Sequence, residues 1–532
     1  MADGQSPPAD DETLNVSYTY RRLPDEQDVV EVTMRIPATP GIGEVRFEFQ
    51  EESTVVTTEN VTRSGGVYEW TGETSATVTY RLRIDWSYTG NARESWTLVE
   101  HLPPAIRPEA AADTDETIAV AGTGYVGNNT LLLGSHEVHP RQADGQIVHL
   151  VVPGDRSLRY GPTRTVDALA NVSRSLEVGA RDETVHAFAT PKIRTEATIL
   201  EFDGFALDGN TLLVDADAEL AAWVHEYVHT RQAFSTAERL RWLTEGSARY
   251  YEWLLAVESG YADWGELREV FRKATNDDSV LSDPDTCRAE SDYAKGALVL
   301  AAVDREIRTA TDGERTLEDA LRRINGEDTA PTVDSFVRAV RRVGGPEAAA
   351  TAERYVTTRA VPEFRSDTER LETVYGYRSP QIREQVVHAS VVGEDGTRSV
   401  NSTDGQITVD LNETFRLTAR VENTGDSRGL GAVRPRLSTE RLGGDYVDTT
   451  WVGWVAPNES VTQNATHRFG RPGDYTLFWN GVRYDVCVAP ARGAPSVDDG
   501  ETRPSRRPRS SLEVEALCER METTQRRFTP AG

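Results

Sequence analysis

At 532 residues the chain is too long for one ordinary domain and long enough to bury several cores, so roughly two to four domains are expected. Its formal charge is -28, and only Lys192, Lys273 and Lys295 interrupt a basic complement that is otherwise arginine, a field that repels a phosphate backbone and excludes nucleic acid as the main partner. The three cysteines, Cys287, Cys487 and Cys518, allow one disulfide at most and no four-cysteine metal knot.

Residues 1–12 are polar and Pro/Asp-rich, which predicts a disordered start, and MADGQSPPADDETLN carries neither a basic nor an apolar leader region. Alternation at Val30, Val32, Met34 and Ile36, at Val45, Phe47 and Phe49, and at Val78, Tyr80, Leu82 and Ile84 has the period of antiparallel strands, so 13–119 reads as an N-terminal β-domain. From 120 short apolar runs such as 148–152 and 211–215 mix with a helical pattern near 165–178. Helical periodicity then takes over at 217–233, 238–258, 263–274, 291–308, 316–324, 333–343 and 346–356, so 120–365 is taken as one α+β unit. A linker at 366–385 precedes renewed alternation at Phe415, Leu417, Ala419 and Val421. Asn480-Gly481, set between two strand-like runs, is a strong hairpin signal. Residues 386–490 therefore read as an Ig-like β-sandwich, and 491–532 as a mostly disordered basic tail with one short helix at 511–527. The fold class is multidomain α+β.

Eight of fifteen asparagines (Asn15, Asn60, Asn128, Asn171, Asn401, Asn412, Asn458 and Asn464) open an N-x-S/T sequon. Roughly three would arise by chance, so the excess points to a glycosylated, extracellular or cell-surface protein. The missing leader makes the cytoplasm the alternative, and no stretch approaches the run of about eighteen apolar residues that a membrane span needs.

The chemistry concentrates in VHEYVHTRQ at 224–232. On a helical wheel Leu220, Trp223, Val224, Tyr227 and Val228 share one arc, and His225 and His229 share the other. Side chains four apart are neighbours, so both imidazoles reach one metal ion, and Glu226, displaced sideways, is free to take a proton from a water that the metal activates. SHEVHP at 135–140 is one residue short and followed by proline, so His136 and His139 are read as ordinary strand or loop residues. A third ligand is expected on a facing helix, and WLTEGSARYYEW at 242–253 supplies Glu245, with Glu252 seven residues on to brace a ligand.

HEYVHT followed by WLTEGSARYYE resembles the gluzincin metallopeptidases, specifically the aminopeptidase N-type and glycyl aminopeptidase families, and SDYAKGALVL at 291–300 matches their Y-x-K-G helix. The resemblance implies a thermolysin-like α+β and helical metallopeptidase domain, one Zn2+ per chain on His225, His229 and Glu245, Glu226 as general base, and a peptide or protein substrate. It also implies Tyr293 as hydrogen-bond donor to the oxyanion, and Gly204 and Asp208 as substrate-binding residues on an edge strand. At Leu207 the families carry a glutamate that binds the substrate's free amino terminus; leucine cannot pair with an ammonium, which weighs against aminopeptidase specificity. The acidic, arginine-over-lysine composition resembles proteins of salt-loving archaea. The competing reading is a catalytically inactive surface binding or adhesion protein on the same scaffold; within the enzyme reading, aminopeptidase activity is the alternative.

Overall fold

The computed structural model describes residues 13–39, 42–84, 90–93, 95–109, 113–195, 198–207, 209–234, 238–275, 277–286, 289–363, 368–411, 413–439, 442–447 and 450–489. The chain divides into two compact units. One comprises Met1–Leu255 with Glu269–Ser366, the other Ala256–Arg268 with Asp367–Gly532.

The first unit opens with a five-stranded sheet in the order Thr114–Val120, Leu14–Arg22, Val29–Ile36, Ala76–Arg83, Ser53–Glu59. Its inner face carries the period-two residues: Leu14, Val16, Tyr18 and Tyr20 are buried while Asn15 and Ser17 between them are exposed. These side chains share a core with Val45, Phe47, Tyr68 and Trp70 of a second, four-stranded sheet. Residue 119 does not separate two sheet systems, because Trp96–Glu100 pairs with Thr130–Gly134 in a third sheet.

Next comes a mixed five-stranded sheet, ordered His136–Ala143, Gln146–Pro153, Thr184–Thr190, Thr211–Asp215, Gly204–Leu207. Its three inner strands run parallel, and the two edge strands are antiparallel to their neighbours. Parallel strands need cover on both faces, which is why TLLVD at 211–215 is buried throughout instead of alternating. Helices α1 (Pro162–Ser175) and α2 (Leu220–His229) cover one side, and Trp96, Leu98, Leu132, Val151, Phe188 and Leu213 form a core on the sheet. The remaining helices are α3 (Arg241–Glu258), α4 (Trp264–Ala274), α5 (Ala289–Ala310), α6 (Leu317–Asn325) and α7 (Val333–Thr357).

Two boundaries differ from the sequence expectation and one break agrees with it. Helix α2 is shorter than 217–233: its last turn tightens, with Thr230, Arg231 and Gln232 N–H groups each bonding three residues back. The segments expected at 333–343 and 346–356 are the two halves of α7, separated as expected by a break at Gly345, whose φ of 81° leaves the helical region just before Pro346. The stretch expected to be a linker at 366–385 carries α8 (Thr368–Tyr375) and the first residues of the Ile382–Gly393 strand.

In the second unit a four-stranded sheet (Gly396–Val400, Ile382–Gly393, Thr414–Asn423, Ser460–Arg468) and a five-stranded sheet (Ile407–Asp410, Val482–Ala489, Gly473–Trp479, Arg436–Thr439, Leu442–Tyr446) contribute to one core. Phe415, Leu417, Ala419 and Val421 are its alternating inward residues. Asn480 and Gly481 both take positive φ, 46° and 78°, as a two-residue hairpin requires. Cys487 is disulfide-bonded. Residues 1–12 and 490–532, including the helix expected at 511–527, lie outside the described residues.

Candidate metal centre

Helix α2 is anchored through its apolar face, where Trp223, Val224, Tyr227 and Val228 are buried and the Tyr227 hydroxyl donates to Gln146 Oε1 on the neighbouring sheet. His225 and His229 lie one turn apart on the other side, their Nε2 atoms 3.3 Å from each other. Glu245 Oε2 on α3 lies 3.5 Å from each of those nitrogens. Ligands bound tetrahedrally at 2.0–2.1 Å are separated by about 3.3–3.4 Å, so the three atoms form one face of a zinc-sized tetrahedron. Glu245 Oε2 is buried and makes no aligned hydrogen bond, so a cation is the partner its lone pairs lack. The donor set therefore fits zinc. Among the described residues it is the one group of three or more His, Cys, Asp or Glu side chains that converges in this way.

Each histidine is fixed through its other nitrogen. His225 Nδ1 lies 3.0 Å from Glu252 Oε2, the bracing role expected for that residue, and Glu252 is held in turn by Arg249. His229 Nδ1 lies 2.9 Å from Gln232 Oε1, while Gln232 Nε2 donates to Thr244 O and Ser247 Oγ. Both contacts favour the tautomer with hydrogen on Nδ1 and a lone pair on Nε2. Gln232 was not singled out from the sequence. It stands beyond the last helical residue, and only the tightened end of α2 turns it back towards His229.

Glu245 owes its position to a close helix crossing. A Cβ on Gly246 would sit 2.9 Å from the Gly296 carbonyl carbon, and one on Gly296 would sit 3.1 Å from Gly246 Cα. Backbones of α3 and α5 therefore touch where each carries a glycine, and this contact brings Glu245 to Tyr293. The Tyr293 ring stacks on His225 at 5.7 Å between centroids and 19° between planes, and the residue remains 37% exposed. Lys295, fully buried on the same helix, donates to Ser279 O, and Asp292 pairs with Arg241 at 2.8 Å.

Burial works against ionisation of Glu245, but contact with the two imidazoles outweighs it and holds the carboxyl well below the usual range. For His225 burial again opposes the charge, and Glu245, Glu252 and Glu226 overcome it, raising its pKa to about 10. Burial raises Glu226 above an ordinary carboxyl despite the pull of His225 and His229. The Tyr293 hydroxyl is pushed up, first by burial and then by Glu245, so it stays protonated.

Gly204, on the edge strand, approaches Glu226 so closely that a Cβ would lie 2.9 Å from Glu226 Cγ and from Leu213 O. Leu207 is half-buried and, with Phe205, packs on the sheet's hydrophobic core. Asp208 lies outside the described residues. His136 and His139 sit in the His136–Ala143 strand, with His136 Nδ1 bonded to Gly134 O.

No protein-family model matches the chain, and neither does any curated protein. Among solved structures it is similar to an M1 zinc metallopeptidase from Deinococcus radiodurans, at 17% identity over 66% of this chain and 94% of that one, with a TM-score of 0.42. An aminopeptidase N family protein from Idiomarina loihiensis is 14% identical over 85% of this chain and 96% of its own, with a TM-score of 0.49. Aminopeptidase A of Legionella pneumophila, in complex with aspartic acid, is 11% identical over 87% and 58%, at 0.40.

Proposed function

We propose that the chain is a zinc-dependent peptidase holding one zinc ion on His225, His229 and Glu245. The triangle of donor atoms with sides of 3.3, 3.5 and 3.5 Å, with Glu226 beside it, carries this reading. When bound, zinc supplies a Lewis acid for the scissile carbonyl and lowers the pKa of water towards neutrality.

The chain's own groups do the rest. Glu252 and Gln232 keep the two imidazoles aimed inward through their Nδ1 atoms. Glu226 takes a proton from the attacking water, and the same proton passes to the amine nitrogen as the C–N bond breaks. Burial raises its basicity for that exchange. Tyr293 has a retained hydroxyl proton and an exposed edge, which suits it to donate to the oxyanion of the tetrahedral intermediate. No covalent acyl-enzyme is involved.

Cleavage away from a free amino terminus is the better-supported specificity, because Leu207 packs with Phe205 on the hydrophobic core and carries no charge. Six of the seven sequon asparagines among the described residues are exposed and Asn171 is half-buried, which supports a glycosylated, exported setting.

Elemental analysis and proteolysis assays in high salt test the proposal. One zinc per chain, with Glu226→Gln retaining the metal and losing cleavage of amino-terminally blocked peptides, is the expected result. A folded chain that takes up no supplied zinc favours the binding-protein reading.

A further inference from the structure

Separate from the candidate metal centre, a cavity of about 470 Å³ is lined by Arg315, Asp319, Arg322, Arg323, Arg342 and Val343. Four arginines line this one cavity, with Asp319 as the one acidic residue of its lining, in a chain of formal charge -28. Like charges gathered in one concavity repel unless an anion joins them.

Two of the arginines are committed to the fold. Helix α7 breaks at Gly345, and Pro346 has no N–H for the carbonyl of Arg342 four residues earlier. Arg315 Nη1 serves there instead, donating to Val343 O at 3.1 Å and reaching Arg342 O at 3.5 Å. Arg322 donates to Asp319 Oδ1 at 2.7 Å and to Glu177 O. Asp319, whose other oxygen accepts from Thr316 N in the α6 capping box, is thereby satisfied within the protein. Arg323 and Arg342 are exposed, and their guanidinium groups have no partner among the described residues. The lining thus combines two arginines bonded within the protein and two whose forks have no partner among the described residues.

We propose that this pocket binds a small anion bearing two phosphoryl groups, of the pyrophosphate type. Planar guanidinium forks match the oxygens of a tetrahedral oxyanion and bond them in pairs. Asp319 serves Arg322 and the α6 cap, and Glu177 Oε2 lies 3.8 Å from Arg322, so neither carboxylate serves Arg323 or Arg342, whereas linked phosphoryl groups can. The cavity has room for more than a single phosphate. The rest of the chain favours a small ligand over an extended one, since a long polyanion leaving the pocket meets an acidic surface.

Isothermal titration of the full chain with pyrophosphate, at fixed high ionic strength, tests this. Wild type is compared with the Arg323→Gln/Arg342→Gln double variant; both residues are exposed, and the metal ligands are unchanged, so chelation contributes equally to both titrations. Saturable binding of one pyrophosphate per chain is expected, weakened at least about tenfold in the double variant. Arg323→Lys/Arg342→Lys keeps the charge but loses the forks, and an intermediate loss is expected. Three results overturn the proposal: no saturable binding by wild type, equal binding by wild type and the glutamine variant, or tighter binding of a hexa-aspartate peptide than of pyrophosphate.

Discussion

The crossing of α3 and α5 offers the sharpest test of how the fold places the proposed metal ligands. In Gly246→Ala the new methyl would begin 2.9 Å from the Gly296 carbonyl carbon and 3.0 Å from its Cα. Non-bonded carbons rest at about 3.5–4.0 Å, so the helices must separate by about 0.6–1 Å. Overpacking of this kind costs about 1–3 kcal/mol, and alanine returns about 1 kcal/mol as the better helix former, leaving a net loss of about 0–2 kcal/mol. The larger effect falls on the site. Glu245 is the preceding residue, and its Oε2 must remain at tetrahedral-edge distance from both imidazoles, within a tolerance of about 0.5 Å. We expect zinc affinity to fall about tenfold or more and kcat/KM about a hundredfold. Competition with a chelator of known affinity measures the first, and cleavage of a blocked peptide the second. Gly66→Ala, with nothing within 4 Å of the added Cβ, is the control. If Gly246→Ala keeps wild-type zinc affinity and gains thermal stability, helix propensity alone is operating and the crossing does not position Glu245.

Glu252→Gln and Gln232→Ala should each weaken zinc binding about 10–100-fold in equilibrium dialysis with little change in far-UV circular dichroism; unchanged affinity in both would remove any role for the Nδ1 contacts. Tyr293→Phe should lower kcat with KM and bound zinc nearly unchanged, and an equal loss in KM alone would assign the hydroxyl to substrate binding and not to the oxyanion. Burial raises Glu318 from 4.5 to about 7, so the folded chain holds its proton after the unfolded chain has lost it. The stability it contributes is complete below about pH 4.5 and disappears as pH rises to about 7, so the melting temperature of wild type relative to Glu318→Gln should fall across that window and be level above it.

Much of the centre was legible because it is written in local spacing. Two histidines four apart on an amphipathic helix need only helical geometry to meet, and Glu252 follows Glu245 by two turns of the same helix. The rest depends on contacts between distant segments. Gln232 reaches His229 because the last turn of α2 tightens, a detail outside the resolution of hydrophobic periodicity. Gly246 and Gly296 were visible as residues within helical segments, each unfavourable there by about 1 kcal/mol, and that cost is the signal of a backbone contact; one sequence does not say which helix is touched. At Gly345-Pro346 the same punctuation predicts two helices, and α7 does break there into two halves. The arginine pocket had no local signature, since Arg315, Arg322 and Arg342 converge only after α6 and α7 pack.

Charge balance explains why the groups around the centre belong together. Glu226, Glu245 and Glu252 all approach His225, the first two also approach His229, and Arg249 is the guanidinium that offsets them through Glu252. With both imidazoles neutral, as metal ligation requires, three carboxylates against one guanidinium would leave two negative charges inside a buried site; without metal, the proton that the carboxylates hold on His225 offsets one of them. Such a balance is costly for the protein alone and suited to a divalent cation. It also separates the roles of the carboxylates. Glu252 is neutralised by its arginine and turned to His225 Nδ1, and Glu245 points its unpartnered oxygen at the two Nε2 atoms. Glu226 packs against Gly204 on the edge strand, beside the candidate centre. A side chain at position 204 would press on Glu226, so glycine there leaves room for the proposed base as well as for the strand.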